Sequence, residues 1–344
     1  MKVVDHAGAG VALALQGPPQ GPALDVSVDL PAGVTGLLGP PGSGKTLLLR
    51  AIAGLERTMG SIVVDGTVFQ DDHTWLPSEA RKVGLVFDDL RLFSHLSVRR
   101  NVLFGAEGPL NDVIALLELD GLLKRRISSL DPDEQRRVAV ARALAMRPRL
   151  LALDEGLSSS AGVVPWLRAV VRDSPVPTLI ASSRPADLLP FTDRLVILKE
   201  GRVVAQGHVP DLVADPTALA VLHRLGLVNV YRVAGVRSDR GSLWARAGEI
   251  ELCLPEAPGA HVRHVALRPS DVLLATGPLP SSSARNVLPG RVQGITRLPD
   301  RAMLRVDVGI PLLAEVAPSA LVDLELCPGR PVTAMIQPGA FRWL

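Results

Sequence analysis

Gly39-Pro40-Pro41-Gly42-Ser43-Gly44-Lys45-Thr46 fits the pattern G-x-x-x-x-G-K-[ST] without a mismatch. With average residue usage, a chain of this length matches that pattern by accident with a probability on the order of one per cent. The chemistry available to these residues is phosphate binding. Successive backbone N–H groups converge on a phosphate, a helix N-terminus adds positive potential, Lys45 reaches the outer phosphates, and Thr46 offers its hydroxyl to Mg²⁺. Far downstream, Asp154-Glu155 closes the apolar run 150–153. Such a run is common by itself. Paired with an intact phosphate loop it supplies the other half of a nucleotide site, with Asp154 holding Mg²⁺ and Glu155 polarising an attacking water as general base.

Three elements must position the loop: a buried strand over 34–38 that feeds it, the loop itself, and a helix over 47–55 that leaves it. Upstream, residues 11–30 alternate apolar and polar positions on either side of a Gly/Pro turn, as two antiparallel strands do. Residues 61–69, with Asp65-Gly66 at their centre, predict a second hairpin, and 83–87 a further buried strand. The pattern turns helical over 88–149, with apolar residues at three- and four-residue spacing in 110–123 and 133–146. Short apolar strands over 150–153, 178–181 and 195–198 continue an α/β alternation, so a nucleotide domain is expected to fill residues 1–225. Beyond it the chain shifts to short β-like stretches broken by glycine and proline, including 265–267, 272–274, 290–295 and 332–336. Residues 226–282 are predicted to be a β-rich connector with a linker-like tract at 277–283, and residues 283–344 a small all-β barrel. No internal repeat of long period stands out.

Length and composition agree with a folded chain of at least two domains: 344 residues, of which 47% are hydrophobic, exceed what one core usually serves. No apolar run is long enough to cross a bilayer, and residues 1–10 lack a signal-peptide core, which predicts a cytoplasmic chain. A net charge of +2 and an aromatic content of 3% leave little for nucleic acid to bind, so no nucleic-acid partner is expected. Cys253 and Cys327 fit no metal-ligand spacing and are expected to be reduced thiols.

Four blocks, in order and spacing, carry a family resemblance: LLGPPGSGKTLLLRAIAGL, VGLVFDDLRLFSHLSVRRNVLFG, RRVAVARALAMRPRLLALDEGLS and SARNVLPGRV. The chain resembles the ATP-binding subunits of ABC transporters, specifically those of the molybdate-importer type, nearly from end to end. The resemblance implies an α/β phosphate-loop ATPase domain with an antiparallel β subdomain and a helical insertion, followed by an OB-like β-barrel that binds oxyanions in related proteins. It implies ATP and Mg²⁺ as cofactors and two partners: a transmembrane permease, docked by the insertion around Arg91 to Val98, and a second ATP-binding subunit with which two ATPs are sandwiched. The protein would thus lie peripherally on the inner face of the membrane. A regulatory protein in which the same domains sense nucleotide and oxyanion without transport is the alternative.

The sequence departs from that family at identifiable positions. The glutamine that follows the strand over 83–87 is Asp88. The signature, usually L-S-G-G-[QE], is Leu130-Asp131-Pro132-Asp133-Glu134. The switch histidine falls on Ser183. The loop after Glu155 reads Ser158-Ser159-Ser160-Ala161 without its aspartate, the adenine-stacking aromatic is missing from 20–23, and Ile336-Gln337 replaces a lysine of related barrels. Asp131 is predicted to cap a helix, with Pro132 at its first position and Glu134 closing a capping box. Such a helix end has fewer free N–H groups for the γ-phosphate held by a partner. At roughly 4 Å and an effective dielectric near 20, each added carboxylate costs about 4 kcal/mol against one phosphate charge. Asp88 can accept but not donate, and Ser183 does not titrate near neutrality. The expectation is Mg-ATP binding with impaired hydrolysis.

Overall fold

The computed structural model describes residues 10–17, 24–155, 165–173, 176–192, 194–215, 217–218, 221–222, 225, 229–239, 242–256, 264–278, 282–297 and 300–343. The chain divides into two compact units, Met1–Leu225 and Gly226–Leu344.

In the first unit the described strands are β1 (Val11–Gln16), β2 (Asp25–Leu30), β3 (Val34–Leu38), β4 (Met59–Val64), β5 (Thr67–Gln70), β6 (Val83–Val86), β7 (Leu150–Leu153), β8 (Thr178–Ser182), β9 (Arg194–Lys199) and β10 (Arg202–His208). They form one sheet in the order β5-β4-β1-β2-β10-β9-β3-β8-β7-β6. Its two halves follow from two hydrophobic patterns. β1 and β2 alternate buried and exposed positions and pair antiparallel, Val11 opposite Leu30, as strands with one solvated face do. β7 is apolar and β8 has an apolar centre between Thr178 and Ser182, and both are buried throughout, as parallel strands covered on both faces must be. Asp65 and Gly66 both take positive φ, 47° and 68°, the left-handed pair that a tight two-residue hairpin needs.

The parallel register decides where the chemistry sits. Leu38 of β3 faces Ser182 of β8, Ile180 of β8 faces Leu153 of β7, and Leu153 faces Val86 of β6. The residues just past these ends, Gly39, Ser183, Asp154 and the Phe87-Asp88 pair, therefore share one edge of the sheet, where open α/β folds place their ligands.

The helices are α1 (Lys45–Ile52), α2 (Ser78–Arg81), α3 (Val98–Leu103), α4 (Asn111–Leu116), α5 (Pro132–Ala145), α6 (Pro165–Asp173), α7 (Pro185–Leu188) and α8 (Val209–Ala214). The insertion is less helical than its pattern predicts. Residues 88–97 are loop, and the helix expected over 110–123 stops at Leu116. There Glu118 turns to φ 52°, which lets Leu117 and Leu119 both become fully buried. A 3₁₀ turn over Asp120–Leu122 replaces the rest.

The second unit contains β11 (Asn229–Arg232), β12 (Ala234–Asp239), β13 (Ser242–Ala247), β14 (Ile250–Leu254), β15 (His264–Leu267), β16 (Leu273–Ala275), β17 (Asn286–Arg297), β18 (Ala302–Asp307), β19 (Pro311–Val316), α9 (Pro318–Asp323), β20 (Pro331–Ile336) and β21 (Arg342–Trp343). Its described sheets run β11-β15-β21, β12-β13-β14 and β16-β20-β17-β18-β19. Packing and strand pairing cross residue 283, where the sequence places the start of the barrel. One core, from Val233 through Val292 to Phe341, spans it, because β16 of the first half pairs with β20 and β21 of the second half pairs with β15.

The two halves repeat each other, contrary to the sequence expectation. Asn229 opens β11 and Asn286 opens β17. The Asn229 amide donates to Leu313 O (2.9 Å) and Leu267 O (3.3 Å) while its Oδ1 accepts from Leu313 N (2.7 Å). Asn286 does the same with Cys253 O (2.9 Å), Ile336 O (3.3 Å) and Cys253 N (2.7 Å). Each asparagine thus acts as one extra rung of a strand ladder, toward the other half. After β15 the chain reads Arg268-Pro269, and after β20 Gln337-Pro338, both entering a 3₁₀ turn.

Candidate nucleotide-binding site

Gly39 has to be glycine: a Cβ there would lie 2.3 Å from Leu198 O and 2.5 Å from Ser43 Oγ. Past it, Gly42 and Gly44 take φ of 77° and 101°, which side chains resist, and the loop curls over Pro40 and Pro41 so that Ser43 N donates to Pro40 O at 3.1 Å. Gly201, in the turn between β9 and β10, donates its N–H to Ser43 O at 2.9 Å and holds the loop from behind. α1 begins at Lys45, two residues before the predicted start, with Gly44 as a cap that offers no side chain and with no acid in the first turn.

Lys45 is 4% exposed. Its ammonium donates to Gly39 O (2.8 Å) and Pro40 O (3.1 Å) and pairs with Glu155 Oε1 at 2.8 Å. Thr46 Oγ1 donates to Asp154 Oδ1 at 3.1 Å, and the same oxygen accepts from Glu155 N at 3.0 Å. Burial pushes the Asp154 carboxyl above its ordinary range; bonds from Thr46 and the Glu155 N–H oppose this, and the charges of Glu155 and Asp88 add to it. Phosphate-loop and acidic-strand residues are therefore brought together, and Asp88 is close enough for its charge to be felt.

These residues fit a magnesium nucleotide. The start of α1 is uncapped, Ser43 Oγ is buried with no hydrogen-bond partner among the described residues, and a side chain at Gly39 would fill the cradle. A threonine hydroxyl beside a carboxylate in want of a counter-charge is a hard-oxygen set suited to Mg²⁺.

The signature position has the opposite character. Asp131 caps α5 with the reciprocal pair Glu134 N to Asp131 Oδ1 (2.8 Å) and Asp131 N to Glu134 Oε2 (2.9 Å), and Pro132 is the first helical residue. Asp133 accepts from Trp166 Nε1 at 3.1 Å and pairs with Arg137 at 3.3 Å. Arg125 pairs with Glu134 at 3.1 Å. Leu130 is buried behind the cap. Ser183 follows β8 beside the loop: Gly39 N donates to the neighbouring Ser182 O at 3.3 Å, while the Ser182 hydroxyl donates to Asp187 at 2.7 Å.

Sequence reasoning missed the Lys45–Glu155 pair, the partners of Asp133, and Arg142, which donates to Leu90 O (2.9 Å) and Arg91 O (2.6 Å) in the loop after Asp88. Only the arginine had a signal, as part of the matching α5 block. Residues 158–161 and 20–23 lie outside the described residues. Cys253 is buried and Cys327 exposed, both unpaired, and no metal-binding cluster occurs among the described residues.

A phosphate loop and an acidic strand end on one sheet edge, with an antiparallel flank and a helical insertion, define the ATP-binding component of an ABC transporter. The ABC transporter family model matches residues 24–158 and the TOBE domain model residues 282–341. The chain is 37% identical to the molybdenum import ATP-binding protein ModC of Thiobacillus denitrificans, over 92% of this chain and 93% of that protein. It is 35% identical to ModC 1 of Azotobacter vinelandii, over 92% and 94%. The chain belongs to the family of molybdenum import ATP-binding proteins. In fold it is similar to cbiO1 from Clostridium perfringens, with a TM-score of 0.50 at 23% identity, covering 62% of this chain and 94% of that one. No helix among the described residues is long and apolar enough to cross a membrane.

Proposed function

We propose that the chain is the ATP-binding subunit of an importer for molybdate or a similar oxyanion, that it takes Mg-ATP through Gly39 to Thr46 and Asp154, and that it turns ATP over slowly or not at all. It works as one of two such subunits on a cytoplasmic face, against a permease. Lys45 exchanges its two carbonyl acceptors and Glu155 for phosphate oxygens, which releases Glu155 to accept a proton from water. Thr46 and Asp154 hold Mg²⁺, whose chemical contribution is to neutralise phosphate charge. At this edge Asp88 accepts hydrogen bonds but cannot donate one, and Ser183 is too short and too weakly basic to replace an imidazole.

The observation that carries the reading of slow turnover is the closed start of α5. Its free N–H groups are the ones a partner's γ-phosphate needs, yet Pro132 has none, Asp131 takes that of Glu134, and Asp133 adds charge. The same closed end suits a regulatory protein whose nucleotide state is read without turnover, and co-purification with a permease separates the two. The test is steady-state phosphate release by the chain, alone and with its permease, beside an ATP-binding assay and Lys45→Ala. Tight binding with little release supports the proposal. Brisk release abolished by Lys45→Ala overturns the impaired step and leaves the transport role standing.

A further inference from the structure

Arg81 is the bulkiest side chain sealed from solvent among the described residues, at 0% exposure. Lone buried charges are rare because desolvating a guanidinium is costly unless it is well bonded. Among the described residues no carboxylate pairs with it. Its Nη1 instead donates to Ala51 O at 2.7 Å and Ile52 O at 3.0 Å, and its Nε to Leu76 O at 2.8 Å. The rings of Trp75 and Phe69 lie 4.5 and 5.7 Å from the guanidinium carbon. Ala51 and Ile52 are the last residues of α1, where backbone carbonyls lack helical donors and the helix dipole is negative. Gly54 makes room for the group: a Cβ there would lie 2.8 Å from Arg81 Nε, and Gly54 itself has φ 77°. Burial lowers the guanidinium to about 10, so it stays charged at neutral pH.

We infer that Arg81 is a positioning residue for the phosphate loop, acting through α1. It grips the end of α1 opposite the loop and ties it to the antiparallel flank through Leu76, Trp75 and Phe69. α1 spans eight residues, and a short rigid helix passes any shift of one end to the other. Its axial position, and with it the N–H groups of Gly44, Lys45 and Thr46, is set by the two carbonyl bonds to Ala51 and Ile52, with the third, to Leu76, fixing the side chain that makes them. This inference rests on nucleotide binding at the loop.

The test compares wild type, Arg81→Lys and Arg81→Ala for Mg-ATP affinity, measured well below each protein's melting temperature, and repeats Arg81→Ala with added guanidinium ion at non-denaturing concentration and with sodium as control. Displacing catalytic or binding groups by about 1 Å costs on the order of a hundred-fold, and a partial slip in Arg81→Ala is expected to weaken affinity about ten-fold. Guanidinium, but not sodium, is expected to restore most of that loss, and Arg81→Lys to fall between the two. Should Arg81→Ala not fold, Arg81→Lys and Trp75→Leu give the same reading, each with weaker affinity in a folded protein. Affinity within two-fold of wild type in every folded variant, with only the melting temperature lowered, overturns the inference. A wild type that does not bind Mg-ATP overturns the nucleotide reading itself, a distinct outcome.

Discussion

Two helix N-termini in the first unit were built to opposite plans. α1 starts at a glycine with no side-chain cap and no acid in its first turn; α5 starts at Asp131 with a complete capping box, a proline and two further acids, Asp133 and Glu134. The difference lies in the side chains at each cap and in Pro132, which removes one backbone N–H from the start of α5. At α1 the donors are left for an external anion, and the helix is stabilised elsewhere, by Leu48, Leu49 and Ile52 in the core and by Arg81 at its far end. At α5 the helix satisfies its own donors, and each carboxylate has a partner in the same chain. A helix start can leave its donors open or satisfy them itself, and α1 and α5 show the two cases.

Substitutions that exchange the two plans test this contrast. The largest effect is expected from Lys45→Ala. The ammonium that holds two carbonyls and Glu155 would pass to phosphate oxygens on binding, so its loss removes from the bound state charge-assisted bonds worth about 1.5–3 kcal/mol each. Mg-ATP affinity, measured by titration calorimetry, is expected to fall on the order of a hundred-fold. The converse change, Asp131→Ser with Pro132→Gly and Asp133→Gly, opens α5. Ultracentrifugation is expected to show an ATP-dependent gain in self-association of about ten-fold. Chemical denaturation is expected to show a loss of about 1–2 kcal/mol from two glycines in a first turn. If opening α5 yields neither association nor faster phosphate release, the closed cap is not what limits turnover.

Asp154→Asn has a smaller and two-signed effect. Burial raises the Asp154 carboxyl, so its contribution to stability is present below the unfolded value near 4 and is lost as pH rises through the folded one. Ionising the group in the folded chain is therefore a cost that a bound Mg²⁺ would relieve. An amide keeps the Oδ1 acceptor for Thr46 and Glu155 without the charge. Thermal melts of Asp154→Asn without nucleotide are expected to rise by roughly 2 °C at pH 7, to converge on wild type at low pH, and to lose the further rise that Mg-ATP gives the wild type.

The contrast was legible in the sequence because both plans are local. Eight consecutive residues specify the phosphate loop, and Asp131, Pro132 and Glu134 specify a capping box. Strands β3 and β7 were equally plain, being short apolar runs at the ends of which chemistry begins. What the sequence hid is whatever depends on residues far apart. Arg81 is written as an ordinary surface arginine and becomes buried because Gly54, Trp75 and the end of α1 close around it. Glu118 ends a helix that periodicity alone would continue. The repeat in the second unit rests on Asn229 and Asn286, whose neighbours share little beyond a following valine. Their equivalence shows only when each bonds the backbone of the opposite half.

The smallest expected effect is the sharpest test of whether the two helix starts are independent within one chain. Asp131→Ala removes one carboxylate that accepts from Glu134 N, while Pro132 remains and Arg125 still pairs with Glu134. Loss of an N-cap costs about 1 kcal/mol, and urea denaturation is expected to report that amount with an unchanged slope. Mg-ATP affinity is expected to stay within two-fold of wild type, because no described hydrogen bond joins Asp131 to residues 39–46 or to Asp154. Among the described residues, the loop after Asp88 offers a route between them: Arg142, on α5, holds Leu90 and Arg91, both at positive φ. A change in affinity on Asp131→Ala that disappears when Arg142→Lys is added would show that the cap reaches the nucleotide through that loop, and that a start built for stability also sets the geometry of the one built for a ligand.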